Sequence, residues 1–487
     1  MIKSSSFCLP SGPAGEAERE GFPMWDTIAK VNGAINNVVW GVPMLVLLVG
    51  AGLFLSVRCD FVQFTRFGYA MRNTIGRIFK NQKAGAGEIT PFQAVTTALA
   101  ATVGTGNIAG ITWAITLGGP GSLFWLWVSA LIGMCTKYAE VVLSIRYRER
   151  NAAGDWVGGP MYYIRNGLGK GWNWLAGLFC VFGALAAFGI GNAVQIGNIT
   201  DAVNTAVQAF NPGAAAYAGT INLVLGVILA AITAVVLLGG VKRLGAVTER
   251  LVPFMALVYI VACLAVVLVN IGSIGSVFAS IFQGAFNPTA AVGGISGFTI
   301  MQTITWGVKR GVFSNEAGLG SAPIAHAASS ETNPVRQGLY GIFEVFMDTI
   351  VICTLTGLTL LMSGIDLQYG VKGTTALNSA ALGTVFGNQL GALIIAVGIA
   401  LFALSTVLSW ALYGTRCCEF LFGGKITRIY QVVFVLVVIV GATMELSLAW
   451  DIADTLNGLM AIPNLVGLLG LSGVVVKLTR EYFTARK

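Results

Sequence analysis

The sequence predicts an all-α polytopic membrane protein of about eleven transmembrane helices, one extra helix plus an inverted repeat of five plus five, with the first helix of each half broken. Three observations predict it. Of 487 residues, 55% are hydrophobic and 10% charged, whereas soluble domains carry about 25% charged residues. The apolar residues gather in stretches of roughly 17–28 residues, each long enough to cross a bilayer. Glycine-interrupted segments also stand at matching positions of two sets of five, a pattern that points to a binding site near the bilayer midplane.

Along the chain, residues 1–23 hold Ser, Gly, Pro and alternating charges, with no apolar core of signal-peptide length. They are expected to form a disordered extension, with Met24 as a candidate functional start. Residues 24–89 comprise a short interfacial helix at 25–39, the extra span at 41–57 and a basic connection at 58–89. That connection carries Arg58, Arg66, Arg72, Arg77 and Lys80, which suit a cytoplasmic helix lying on anionic lipid. The first repeat, 90–271, has spans at 90–117, 121–145, 174–200, 217–239 and 250–271. The second, 292–476, has spans at 292–312, 339–362, 388–414, 427–443 and 448–476, and 477–487 is a tail. The outer loops 272–291 and 363–387, rich in Gly, Ser and Thr, are connectors or gates.

The net charge of +8 is a topological signal, because 24 of the 29 Lys and Arg fall in the connections on one side. That asymmetry puts the C-terminus in the cytoplasm and the N-terminus outside. The basic pair Lys309-Arg310 reads as a cytoplasmic boundary. The eight Cys lack C-x-x-C spacing and are expected to be free core residues. A single histidine, His326, at a loop position, excludes a His-rich metal site and leaves no catalytic set, so the chain is not read as an enzyme. Gly118-Gly119-Pro120-Gly121 lacks the Lys and Ser/Thr of a nucleotide loop, which argues against ATP drive.

The candidate site centres on Val103-Gly104-Thr105-Gly106-Asn107. Unwinding there frees carbonyls before the break, which suit Na⁺, and N–H groups after it, which suit a carboxylate. In span nine, the hydroxyls of Ser405 and Thr406 and the Phe402 carbonyl form a candidate Na⁺ site shared with the broken helix, and Trp410, four residues on, lies on the same face. The bland alternative is Ser and Thr bonding their own helix. Phe188, Asn192 and Gln195 fall on one helical stripe and either line a cavity or bond a neighbouring helix. Thr303 and Trp306 stand beside Gly307, where a second break is expected, with Gly293, Gly294, Gly297 and Gly311 around it. Lys137 and Glu140 are spaced for a local ion pair, while Glu344 and Asp348 are candidates for a proton relay or for gate and structural roles.

Residues 118–133, GGPGSLFWLWVSALIG, closely resemble the signature of the alanine/glycine:cation symporter family, which usually has Gly or Ala at Ser122 and Met at Leu126. Thr136-Lys137-Tyr138-Ala139-Glu140, Gly158-Gly159-Pro160-Met161-Tyr162-Tyr163 and residues 311–318, GVFSNEAG, are similar to it as well. The resemblance covers about residue 24 to the C-terminus. It implies a leucine-transporter-like inverted fold preceded by one helix, in the inner membrane. It also implies Na⁺-driven uptake of alanine or glycine, sometimes of D-alanine or glutamine. Carried over, the carbonyls of Ala100 and Val103 with Phe402, Ser405 and Thr406 form the sodium site. Gly104, Thr105 and Gly106 hold the amino-acid carboxylate, and Gln195, Thr406 and Trp410 line the pocket. No Lys stands where proton-coupled members of the wider fold place one near that ion site, which favours Na⁺ over H⁺. A sodium-coupled glutamine importer, an H⁺-coupled amino-acid transporter and an ion channel are the competing readings.

Overall fold

The computed structural model describes residues 23–77, 84–85, 87–287 and 299–485. The extension at 1–22, Lys80, and the glycines Gly293, Gly294 and Gly297 lie outside the described residues. Helices α1 (Pro23–Val39) and α2 (Val42–Arg58) meet at a 45° bend. α1 is anchored to the bundle, because the Trp40 indole after it donates to the Asp454 carbonyl at 2.8 Å and Asn36 donates to Thr455 Oγ1 at 3.0 Å. The basic connection folds into short helices, Val62–Thr65 and Phe67–Thr74, that pack inward: Phe67 meets Phe346, and Tyr69 meets Tyr482 and Phe483.

The first half continues with α3 (Pro91–Thr102), α4 (Ala109–Gly118), α5 (Ser122–Tyr147), a hairpin of β1 (Glu149–Arg150) and β2 (Trp156–Val157), α6 (Asn173–Phe188), α7 (Val194–Phe210), α8 (Ala218–Leu237), α9 (Gly240–Val269) and α10 (Ile274–Phe286). The second comprises α11 (Ile300–Asn315), α12 (Ala322–His326), α13 (Pro334–Val345), α14 (Thr354–Met362), α15 (Thr375–Phe386), α16 (Asn388–Phe422), α17 (Ile426–Thr443), α18 (Leu446–Gly470) and α19 (Ser472–Thr484). Among the described residues, eight helices are long and apolar enough to cross a membrane, and two bent pairs bring the number to ten. The seven described cysteines are all unbridged and buried. α16 sits centrally and packs on α3, α6, α7, α9, α15 and α17.

The first interruption falls where the glycines put it. A capping box starts α3, with the Gln93 N–H on Thr90 Oγ1 and the Thr90 N–H on Gln93 Oε1, each at 3.1 Å. α3 stops at Thr102, Gly104 is extended (φ −132°, ψ −154°), Thr105–Asn107 form one 3₁₀ turn, and α4 leaves at 54° to α3.

The second interruption is not at Gly307. α11 runs unbroken through Gly307 and Gly311, because both serve close packing: a Cβ on Gly307 would lie 2.4 Å from the Ser122 carbonyl oxygen, and one on Gly311 would lie 2.5 Å from Ser129 Oγ. The chain instead unwinds over residues 316–321, where Glu316 (φ +56°), Gly318 (φ +92°) and Gly320 (φ +80°) take left-handed backbone before α12. His326 accordingly lies at the end of a short buried helix and not in an exposed loop.

Gly307→Ala forces α11 away from α5, a cost of about 1–3 kcal/mol by overpacking. Gly275→Ala, whose Cβ meets nothing within 4 Å, replaces a weak helix former at no steric cost. Thermal unfolding in detergent should therefore show a lowered midpoint for the first variant and an unchanged or raised one for the second. Equal midpoints contradict this packing role.

Candidate functional site

At the first break α3 hands the Ala100 carbonyl to α16. Thr406 Oγ1 donates to the Ala100 carbonyl at 2.9 Å and to the Phe402 carbonyl at 3.0 Å, and Ser405 Oγ lies 2.8 Å from the Phe402 oxygen and 3.2 Å from that of Ala100. Two carbonyl and two hydroxyl oxygens thus converge in an enclosed space, with Ser405 and Phe402 at 0% exposure and Thr406 at 1%. All four donors are neutral and hard, a set that suits a weakly held monovalent cation. Val103 caps α3 and bonds back to Leu99 at 2.7 Å.

The freed N–H groups are met by side chains. The Gly104 N–H donates to Asn107 Oδ1 at 2.8 Å and the Thr105 N–H to Gln195 Oε1 at 3.2 Å, while Gln195 Nε2 is fixed on the Ile190 carbonyl at 2.8 Å. Thr105 Oγ1 is buried without a hydrogen-bond partner among the described residues. Gly104 touches the cation donors directly, since a Cβ there would lie 2.5 Å from Thr406 Oγ1. Gly106 faces the other half of the chain, 3.2 Å from Phe313 and 3.4 Å from the Ser314 Cα by the same measure.

Trp410 lies one turn beyond Thr406, fully buried against Gly191, with its indole N–H on Glu316 Oε1 at 2.7 Å. It therefore ties α16 to the second break. Asp348 ties both breaks together: it accepts from Asn107 Nδ2 at 2.7 Å, from Ser314 Oγ at 2.9 Å and from Thr349 Oγ1 at 2.7 Å.

Three of the candidate residues lie elsewhere. A π-helical turn at Gly189–Ala193 disrupts the stripe of Phe188, Asn192 and Gln195, because it adds a residue to the turn. Gln195 faces the break, whereas Asn192 Nδ2 donates to the Phe434 carbonyl of α17 at 2.8 Å. Thr303 and Trp306 lie early on α11: Thr303 bonds back to Thr299, and Trp306 sits against Gly118 at the far end of α4. Phe313 and Ser314 occupy the place beside the first break instead. Sequence reading missed them because the second break was placed too early. The GVFSNEAG motif contains both and carried the usable signal.

A lid closes the Gly118 side. Lys309 and Arg310 do not mark an aqueous boundary; both are buried and paired with Asp454, Lys309 at 2.9 Å. The Arg310 guanidinium lies 4.9 Å from the Trp450 ring and 5.1 Å from Phe313, and Phe313 packs on Trp450 at 4.6 Å between centroids. The opposite side is clamped where α3 begins. Glu88 pairs with Arg150 at 2.7 Å and accepts the Trp156 indole N–H at 2.9 Å, Ile89 bridges to Ser329, and Arg148 donates to the carbonyls of Ala327 and Glu331 at 2.9 Å each. Burial pushes the Glu88 carboxyl up, but the Trp156 and Gly85 N–H groups and Arg150 outweigh it and hold it below the ordinary carboxylate value.

Deeper on that side, Lys137 does not pair with Glu140. Its ammonium pairs with Glu344 at 3.1 Å, and Glu140 is taken by the second break, accepting the N–H groups of Gly318 and Gly320 at 3.0 and 3.1 Å.

Comparison with known proteins gives the family and the fold. Residues 25–487 match the model of the sodium:alanine symporter family. The sodium/alanine symporter AgcS of Methanococcus maripaludis is 48% identical, over 95% of this chain and 98% of its own length. The probable sodium/glutamine symporter GlnT of Bacillus subtilis is 35% identical, over 95% of this chain and 92% of its own. The crystal structure of MhsT in complex with L-phenylalanine superposes with a TM-score of 0.56 at 13% identity, over 81% of this chain and 100% of that one. That likeness gives the fold, a leucine-transporter-like helical bundle. These relatives are transporters and not enzymes, and family, fold and two interrupted helices converge: the chain belongs to the sodium:alanine symporter family, whose members couple amino-acid symport to sodium.

Proposed function

We propose that this protein imports small neutral amino acids, glycine or alanine in its L or D form, with Na⁺, by alternating access across the inner membrane. The carrying observation is the contact between Gly104 and Thr406. It joins the cation oxygens of Ala100, Phe402, Ser405 and Thr406 to the N–H groups that begin at Gly104. Na⁺ on those oxygens fixes the end of α3, and with it the N–H groups of Thr105 and Gly106 in the 3₁₀ turn before α4, where the substrate carboxylate takes the place of Gln195 Oε1 on the Thr105 N–H. Gln195, Thr105 Oγ1 and Trp410 complete the cradle. Phe313 against Gly106 and the buried Trp410 ring wall the cradle, which favours a small side chain.

The two closures support a reading of alternating access. The Arg310–Asp454 lid faces outward and the Glu88–Arg150 clamp faces the cytoplasm. The Lys and Arg distribution supports this sidedness even with Lys309 and Arg310 removed from it. The cycle opens the lid and the clamp in turn, with the two broken helices as the moving elements.

The test is uptake of labelled alanine into proteoliposomes. Ser405→Ala with Thr406→Ala removes both hydroxyl donors. The Na⁺ concentration for half-maximal uptake should then rise about tenfold or more, within the range of ordinary site coupling. An unchanged sodium requirement overturns the assignment. Competition by L- and D-amino acids, with Na⁺ or choline, separates alanine and glycine from glutamine.

The lid makes a separate prediction. Asp454→Asn leaves two buried cations without their carboxylate, a loss of about 3–5 kcal/mol. Asp451→Asn breaks only the exposed pair with Lys372, 38% and 46% exposed, worth about 0–1 kcal/mol. The first should lower both thermal midpoint and uptake sharply, and the second should change neither. Similar behaviour of the two variants contradicts the lid.

A further inference from the structure

One buried carboxylate serves neither the sodium nor the amino-acid site. Glu140 on α5 has 0% exposure. Its Oε1 accepts three N–H groups, from Gly318, Gly320 and Asn464 Nδ2, the last at 2.6 Å. Its Oε2 is equally buried and accepts no hydrogen bond among the described residues.

Among the described residues, no cation forms an ion pair with Glu140, although Lys137 lies within electrostatic range of it. Lys137, one turn earlier on α5, gives its ion pair to Glu344 of α13. His326 of α12 lies 3.2 Å from the other Glu344 oxygen. Gln337 Nε2 points at His326 Nδ1 at 2.9 Å, while Gln337 Oε1 accepts from Ser329. Glu316, in the break, has both oxygens engaged, by Trp410 and by Ser321 Oγ at 2.5 Å. From α16, the buried Tyr413 hydroxyl has no hydrogen-bond partner among the described residues and lies within electrostatic range of Glu316 and Glu344. From α18 comes neutral Asn464, whose Oδ1 accepts from the Tyr163 hydroxyl. Three carboxylates thus surround a single ammonium, already paired.

We propose that Glu140 is a proton-binding site, protonated while the Glu88 side is closed and deprotonated when that side opens. A proton on Oε2 removes the charge where nothing solvates it, and leaves Oε1 as acceptor for all three N–H groups. Opening admits water to Oε2; the proton leaves to that water and the carboxylate is solvated. Glu140 spans α5, the second break and α18 through Asn464, so its protonation state bears on the opening itself. The inference rests on the alternating-access reading, and it is separate from sodium binding at Ser405 and Thr406.

The experiment is Na⁺-driven alanine uptake into proteoliposomes, with the same pH on both faces, from mildly acidic to mildly alkaline. The wild type is expected to show one titration, with uptake suppressed at the acid end. Glu140→Gln, an uncharged isostere of the protonated form, is expected to give a flat profile at the acid-end rate while keeping its sodium requirement. If that variant does not fold, Asn464→Ala removes one donor from the carboxylate and should move the wild-type midpoint upward. A flat wild-type profile, a titration that persists in Glu140→Gln, or an unmoved midpoint in Asn464→Ala overturns the site. Loss of sodium dependence in the wild type would instead overturn the symport reading.

Discussion

Two stretches of backbone that leave their helices inside an apolar bundle impose the constraint on which this structure depends. Water cannot reach the groups so freed, and each costs several kcal/mol unless a partner is built in. At the first break the partners are Asn107 and Gln195 for the N–H groups, and Ser405 and Thr406 for the carbonyl of Ala100. At the second they are Glu140, for the N–H groups of Gly318 and Gly320, and Asn464, for the Gly318 carbonyl. Asp348, between Asn107 and Ser314, holds the two breaks in one arrangement.

The buried charges follow from the same constraint. A charge in the bundle persists only where it is paired or richly hydrogen-bonded. Asp454 pairs with both Lys309 and Arg310 beneath aromatic rings, and Glu344 pairs with Lys137 beside His326. Such pairs are all-or-none contacts: removing one partner strands the other. That is why they suit closures that must be either shut or open. The contrast is with the exposed pair Lys372–Asp451 at the rim, where water is an adequate alternative partner.

Much of this was legible in the sequence, and what was not has definite physical causes. The clustered glycines at 104–110 located the first break, because three weak helix formers in seven residues leave few other options. The hydroxyl pair Ser405-Thr406 was legible as an oxygen site, because span nine offers few other polar groups near its middle. The second break was misplaced because glycine in a membrane helix serves two purposes, unwinding and close packing, and Gly307 and Gly311 serve the second. The actual break opens on Glu316, a non-glycine residue in left-handed backbone that no local rule singles out. Asn192 left its expected stripe through a π turn that helical periodicity cannot foresee. Lys309 and Arg310 looked like a boundary because their partner, Asp454, lies on a helix far along the chain.

The central claim is that cation and amino acid meet the same break, so that each sets the other's affinity. Equilibrium binding to purified protein tests it directly, with alanine affinity measured in Na⁺ and in choline, and Na⁺ affinity measured with and without alanine. Linkage requires the two factors to be equal. The account predicts that Na⁺ tightens alanine binding, that alanine tightens Na⁺ binding by the same factor, and that Thr406→Ala brings both factors close to one. Alanine affinity that is the same in Na⁺ and in choline would contradict it.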